Sequence, residues 1–326
     1  MKKFYIYILS LFLVACSSTE IPVEQSEPAQ KKEVHSISLA QRQLLDIIAE
    51  QNQLFETYKE DSQDKLILAQ MNTKYKKIVS KWQNYISQYP EDIDAIIIYG
   101  KFLRAVGEFA NAYKAFLEVD KINPNIAVVK QQLASFEGDY GMYKEALIHI
   151  KKAIELSPDE AIYYYQLAEL LCVYYKDFLR ENIYTQEAIN LDMENSFEKA
   201  ISLDPKNLHL YWRYAQSFYQ QSDASWQKAL KAWDSLEPFV YMNLEKSNVL
   251  LNKARVLIEL YRDEEALVIL NNINTPSFKK DKDRLIAIIK AQETGDTKMG
   301  NSLKKEENER IFQELKKELQ DPHSQE

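Results

Sequence analysis

Glycine is scarce in this chain, at 6 of 326 residues, or about 2% where an average protein carries roughly 7%. Phosphate-cradling loops, dinucleotide-binding turns and nucleophile elbows need glycine where backbone approaches a ligand or takes a positive φ. Proline is also sparse, at 9. A chain so short of turn formers does not suit a β-sandwich or barrel; it points to helices joined by short turns. The two cysteines, Cys16 and Cys172, cannot build a disulfide framework. The four histidines, His35, His149, His209 and His323, have no metal-pair spacing, and H-E-x-x-H, C-x-x-C, G-x-S-x-G and Walker loops are missing. No catalytic residue, metal or cofactor is therefore expected. With 28% charged residues, close carboxylates arise by chance, so a glycosidase pair cannot be read from the sequence. A net charge of −8 lacks the basic face that nucleic acid requires. What is present is 46% hydrophobic residues, enough to build a core, on a length that fits two domains or one elongated array.

The sequence opens with Met1-Lys2-Lys3, an apolar run from Phe4 to Ala15, and Cys16. A charged start, a short apolar stretch and a small residue before the cut describe a secretory signal peptide. The run falls short of the roughly 20 residues that span a bilayer. Leu13-Val14-Ala15-Cys16 resembles the lipobox of bacterial lipoproteins. The resemblance implies cleavage before Cys16 and acylation of Cys16. With Ser17 rather than Asp next, it further implies an outer-membrane address facing the periplasm. Residues 1–15 are thus read as signal peptide. Residues 16–37, rich in Ser, Glu, Pro and Gln, are read as a disordered tether spanning roughly 25 Å as a flexible coil. Cys172, beside Leu170, Leu171 and Val173, reads as a small packing residue rather than a reactive thiol.

Pro90, Pro124 and Pro158 follow one another at 34 residues, each closing a similar stretch. Before Pro124, Gly100 and Ala112 are small, Tyr99, Leu103, Phe109 and Phe116 are large, and Gly107 marks a turn. Leu133, Ala134, Gly141, Tyr143, Ala146, Ile150 and Ala153 repeat that pattern before Pro158. Antiparallel helices approach closely only where small residues sit at the crossing and large ones fill the flanking grooves. A period of 34 with these residues resembles the tetratricopeptide repeat (TPR). The third unit carries Tyr164, Leu167, Ala168, Leu171, Phe197 and Ala200. It reaches Pro205 only 47 residues after Pro158, 13 more than the period. The extra residues lie near 175–186, where a longer turn and a lengthened second helix are expected, with Met193 replacing a small residue. A fourth, degenerate unit uses Tyr211, Tyr214, Ala215, Phe218, Trp226, Ala229, Trp233 and Pro238. A fifth uses Leu250, Ala254, Leu257, Ala266, Leu270, Ile273 and Pro276.

The expected fold is all-α, a TPR-type helical-hairpin solenoid coiled into a right-handed superhelix. Residues 38–90 form an N-terminal helical pair opened by a Ser38/Gln41 capping box. The array covers 91–276, a capping helix 277–293, and a charged tail 294–326. In the tail Leu303, Ile311, Phe312, Leu315 and Leu319 make an apolar stripe; the expectation is a solvated helix laid loosely on the last repeat, the alternative a docking helix.

The resemblance also implies a concave groove lined by the second, fifth, ninth and twelfth residues of each first helix. Carried onto this sequence, these positions are Lys101, Arg104, Gln131, Ser135, Tyr165, Glu169, His209, Trp212, Gln216, Tyr219 and Arg255. Hydrogen-bonding tips on wide side chains suit a protein or peptide partner. The expected function is a membrane-anchored scaffold or adaptor in the bacterial cell envelope, with no metal and no nucleic acid. A small-ligand carrier working with a transporter, or a cell-wall-active enzyme using the insertion, remain as alternatives.

Overall fold

The computed structural model describes residues 38–57, 65–295 and 297–320; the expected signal peptide, the tether and Cys16 lie outside them. Every regular element among the described residues is helical. The chain divides into two compact units, Met1–Pro124 and Asn125–Glu326.

The first unit holds α1 (Leu39–Thr57), α2 (Lys65–Gln88), α3 (Ile93–Ala105) and α4 (Phe109–Ile122). Before α1, the Ser38 N–H donates to Gln41 Oε1 at 3.0 Å and the Gln41 N–H donates to Ser38 Oγ at 3.1 Å. This is the reciprocal capping box expected from the sequence. Asp92 caps α3, accepting from the Ala95 N–H at 3.0 Å and from the Tyr85 hydroxyl at 2.8 Å. Ile47 and Leu54 of α1, Ile78, Trp82 and Tyr85 of α2 and Phe102 of α3 make one core cluster. Trp82 is fully buried and satisfies its indole N–H with Gln51 Oε1 at 3.2 Å.

Where α3 crosses α4, a Cβ on Gly100 would stand 2.9 Å from the Phe116 ring, which is itself fully buried. Gly100→Val should therefore cost about 1–3 kcal/mol through overpacking. A urea titration checks this by a lowered midpoint at unchanged slope; an unmoved midpoint would show that the ring has room to withdraw.

The second unit begins with α5 (Ala127–Asp139), α6 (Tyr143–Leu156), α7 (Ala161–Val173), α8 (Tyr175–Arg180) and α9 (Gln186–Leu203). It continues with α10 (Leu208–Ser217), α11 (Trp226–Asp234), α12 (Asn243–Glu259), α13 (Asp263–Asn272), α14 (Lys279–Glu293) and α15 (Thr297–Gln320). Hairpins form from α5 with α6, α7 with α9, α10 with α11, α12 with α13 and α14 with α15. One turn chemistry recurs. Gly107 and Gly141 take φ of 80° and 78°, and the residue after each donates its N–H back to Leu103 or Glu137, a Schellman closure. Asn182 and Tyr261 fill the same place at φ of 55° and 56°. Ile183 and Arg262 bond back to Phe178 and Leu257 there. Tyr261 thus stands where glycine carries no steric cost. The hairpins separate at proline: Asn123, Ser157 and Asp204 leave helical geometry because the following ring disfavours it.

The insertion departs from its expected form. In place of a long turn it folds as α8, six residues long, and only α9, at 18 residues against 14 for α6, is lengthened as foreseen. Tyr175 and Phe178 of α8 are buried with Leu171, Cys172, Met193 and Phe197, so the added chain extends the core. Cys172 Sγ lies 3.1 Å from Met193 Sδ, and burial raises its pKa, consistent with a packing role. His149 stands 2.6 Å from the buried Glu137, satisfied within the structure.

Candidate partner-binding surface

On α3 of the first unit, Lys101 is exposed and Arg104 half-buried. They lie one helical turn apart, as a shared face requires.

In the second unit the expected positions fall on successive first helices, and Tyr165 and His209 meet one another. Gln131 of α5 donates to Gln166 of α7 at 2.8 Å, and Ser135 lies half-buried one turn on. The Tyr165 hydroxyl of α7 lies 2.9 Å from His209 Nε2 of α10, with the rings edge to face at 5.5 Å. Burial lowers the His209 pKa against an opposing pull from Glu169; burial, then Glu169, raises that of Tyr165. One turn further, Glu169 receives two hydrogen bonds from Arg213, at 2.8 and 2.9 Å, while a third Arg213 nitrogen donates to Gln216 at 2.6 Å. Arg213 is 4% exposed. Its planar fork matches both carboxylate oxygens, which a lysine could not do.

The two other predicted aromatics differ in depth. Trp212 is half-buried, edge-on to the buried Trp233 at 5.5 Å. Tyr219 is buried and donates to the Asn252 carbonyl of α12 at 3.2 Å. It sits in a short 3-10 segment, Phe218–Gln220, that ends α10, so the helical register carried over from the resemblance stops before it. Arg255 is also buried, bonded to Asn252 at 2.9 Å and to Glu307 of α15 at 3.1 Å. The structure thus gathers Gln131, Ser135, Tyr165, Glu169, Trp212 and Gln216 along one row of first helices and places Tyr219 and Arg255 beneath other groups. Arg213, Asn252 and Glu307 were not foreseen. Arg213 adjoins Trp212 in sequence, and only the facing Glu169 explains its burial.

Arg255 is covered by the tail, so the expected loosely laid, solvated helix is corrected. Glu307 is 6% exposed. Burial pushes its pKa up, but Arg310 and Arg255 outweigh that and hold its carboxyl below the usual range. Ile311 is buried with Phe218, Tyr219 and Val256; the side chains of Phe312, Leu315 and Leu319 lie outside the described residues.

Among the described residues no group of three His, Cys, Asp or Glu side chains is placed to hold a metal ion, and no helix is long and apolar enough to cross a membrane. The face offers hydrogen-bond donors, acceptors and flat rings.

No protein-family model and no curated protein matches this sequence. Solved structures do resemble it in fold. YrrB, described as a TPR protein with an unusual peptide-binding site, is 15% identical over 62% of this chain and 95% of its own, with a TM-score of 0.47. MamA is 18% identical over 56% of this chain and 90% of its own, with a TM-score of 0.44. A tetratricopeptide repeat protein from Parabacteroides merdae is 14% identical over 75% of this chain and 92% of its own, with a TM-score of 0.40.

Proposed function

We propose that the protein is a lipid-anchored scaffold of the bacterial cell envelope that binds a protein or peptide segment along its first helices. The observation that supports this most is the row on α5, α7 and α10. Gln131, Ser135, Tyr165, His209, Trp212 and Gln216 are all half-buried or exposed, and Gln131, Tyr165, His209 and Gln216 are held in place by hydrogen bonds to their neighbours. Side chains fixed before a partner arrives lose little entropy on binding, and aromatic anchors in such a row carry most of the affinity. The anchor rests on the Leu13–Cys16 sequence. A lipid on Cys16 and a flexible tether would keep this face near the membrane while leaving it free to turn.

The test is crosslinking in intact cells with a photoreactive residue placed singly at Gln131 or His209, and for comparison at Ile148 of α6 or Leu191 of α9, both exposed. Adducts to a discrete partner are expected from the first pair only. Adducts from Ile148 or Leu191 alone would put binding on the second helices. In the same cells, Cys16→Ala should abolish incorporation of a labelled fatty acid and leave a larger precursor; normal processing would remove the lipoprotein reading.

A further inference from the structure

Charge joins α15 to the helices it covers. Besides the Arg255–Glu307 pair, Arg310 reaches Glu307 and Asp281 at 2.7 and 3.1 Å. Lys304 donates to the Ile258 carbonyl at 3.0 Å, and Asn308 donates to Glu259 at 3.2 Å. Apolar contact accompanies it: Ile311 enters the cluster of Phe218, Tyr219 and Val256, Leu303 is half-buried against α12–α14, and Ile258, Leu285 and Ile288 lie beside Lys304, Glu307 and Asn308. Near its start, α15 is pinned to α14 at Gly300, where an added Cβ would already touch Gln292 at 3.6 Å. Lys304, Glu307, Asn308 and Ile311 follow one another at helical i, i+3, i+4, i+7 spacing and so form one face.

This is the composition of a separable contact rather than of a core. Interfaces whose partners also exist apart are about as polar as ordinary surface. If α15 left, Arg255, Glu259 and Asp281 would meet water together with the apolar residues beside them, Ile258, Leu285 and Ile288, and those under Ile311 and Leu303. The covered positions Tyr219 and Arg255 belong to the row predicted to bind a partner.

We infer that this face of α12 and α14 is a docking surface for an amphipathic helix of the α15 type, held by the chain's own tail until a partner helix of the same chemistry replaces it. Resting on the scaffold reading above, this names the kind of segment bound. The incoming helix carries a carboxylate for Arg255, cations one turn to either side for Glu259 and Asp281, and an aliphatic side chain for the Phe218–Val256 pocket. Complementary charges set which helix is accepted more than how tightly it holds.

The test uses the full chain carrying Glu307→Arg and Ile311→Asp, which repel the tail and leave the docking face unaltered. The probe is a fluorescent peptide with the native sequence of residues 297–320, followed by anisotropy. The variant should bind it at least about 10-fold more tightly than the unaltered chain. Amides of α15 should lose exchange protection while those of α12 and α14 keep theirs. A peptide carrying Glu307→Arg should not bind. Equal binding by both chains, equal binding of both peptides, or loss of protection throughout α12 and α14 would overturn the inference, the last by showing α15 to be an integral cap. Failure of the peptide with crosslinking from Gln131 and His209 intact would overturn this inference alone and leave the scaffold reading standing.

Discussion

Replacing Glu169 with alanine should destabilise the second unit by about 3–5 kcal/mol, because it strands a charge that water cannot reach. Arg213 is 4% exposed and spends two of its nitrogens on the Glu169 carboxylate. Gln216, its other partner, carries no charge to balance it. Arg213→Met should cost less, since the Glu169 side chain is 12% exposed against 5% for that of Arg213, so water reaches the abandoned carboxylate. The double change Glu169→Ala with Arg213→Met should recover most of the loss, because two apolar groups need no desolvated partner. Urea unfolding of the three variants measures this as a coupling energy. Additive losses, or a Glu169→Ala cost under about 1 kcal/mol, would show that the pair behaves like a surface ion pair.

Ala146→Arg should be comparably damaging. Ala146 is fully buried, with Ile150 and Ala153 on the same face of α6. A guanidinium there must push the hairpins apart or enter apolar surroundings without a partner. Overpacking alone costs about 1–3 kcal/mol, and an unpaired buried charge adds more, so a loss of roughly 4 kcal/mol is expected. Since a repeat is stabilised by its neighbours, exchange protection should fall in α5 and α7 as well as α6. A thermal melt indistinguishable from that of the unaltered chain would refute the packing register.

Much of the hairpin architecture was legible in the sequence, because its signals are local. Small residues at helix crossings, Gly107 and Gly141 in turns, and proline after the second helices each report a backbone or steric requirement that one residue satisfies. The Ser38/Gln41 box was readable for the same reason: both partners lie within four residues of chain. What escaped was set by groups far apart. At six residues, α8 is too short to show a helical period, and its burial depends on Phe197 and Met193 of another helix. The Arg213–Glu169 and Arg255–Glu307 pairs join residues 44 and 52 positions apart. No spacing rule links such residues, so Glu169 and Arg255 read as free groove charges when both had internal partners. In the tail the apolar stripe marked two true contacts, Leu303 and Ile311, but the ionic partners Arg255, Glu259 and Asp281 lie too far off in the chain for any spacing to show them.

The seams between successive first helices are all different: Gln131 with Gln166, Tyr165 with His209, Glu169 with Arg213, Tyr219 with Asn252. An array of near-identical repeats can lengthen by copying a unit or shorten by losing one, because any unit fits beside any other. Here each hairpin is keyed to a particular neighbour. Excising α10 and α11 would leave Glu169 without its fork and Asn252 without its tyrosine, and a second copy inserted in tandem would face the wrong residues on one side. The hairpins are therefore not interchangeable parts. Their number and order are fixed by chemistry, and such a protein can change by substitution far more readily than by repeat duplication.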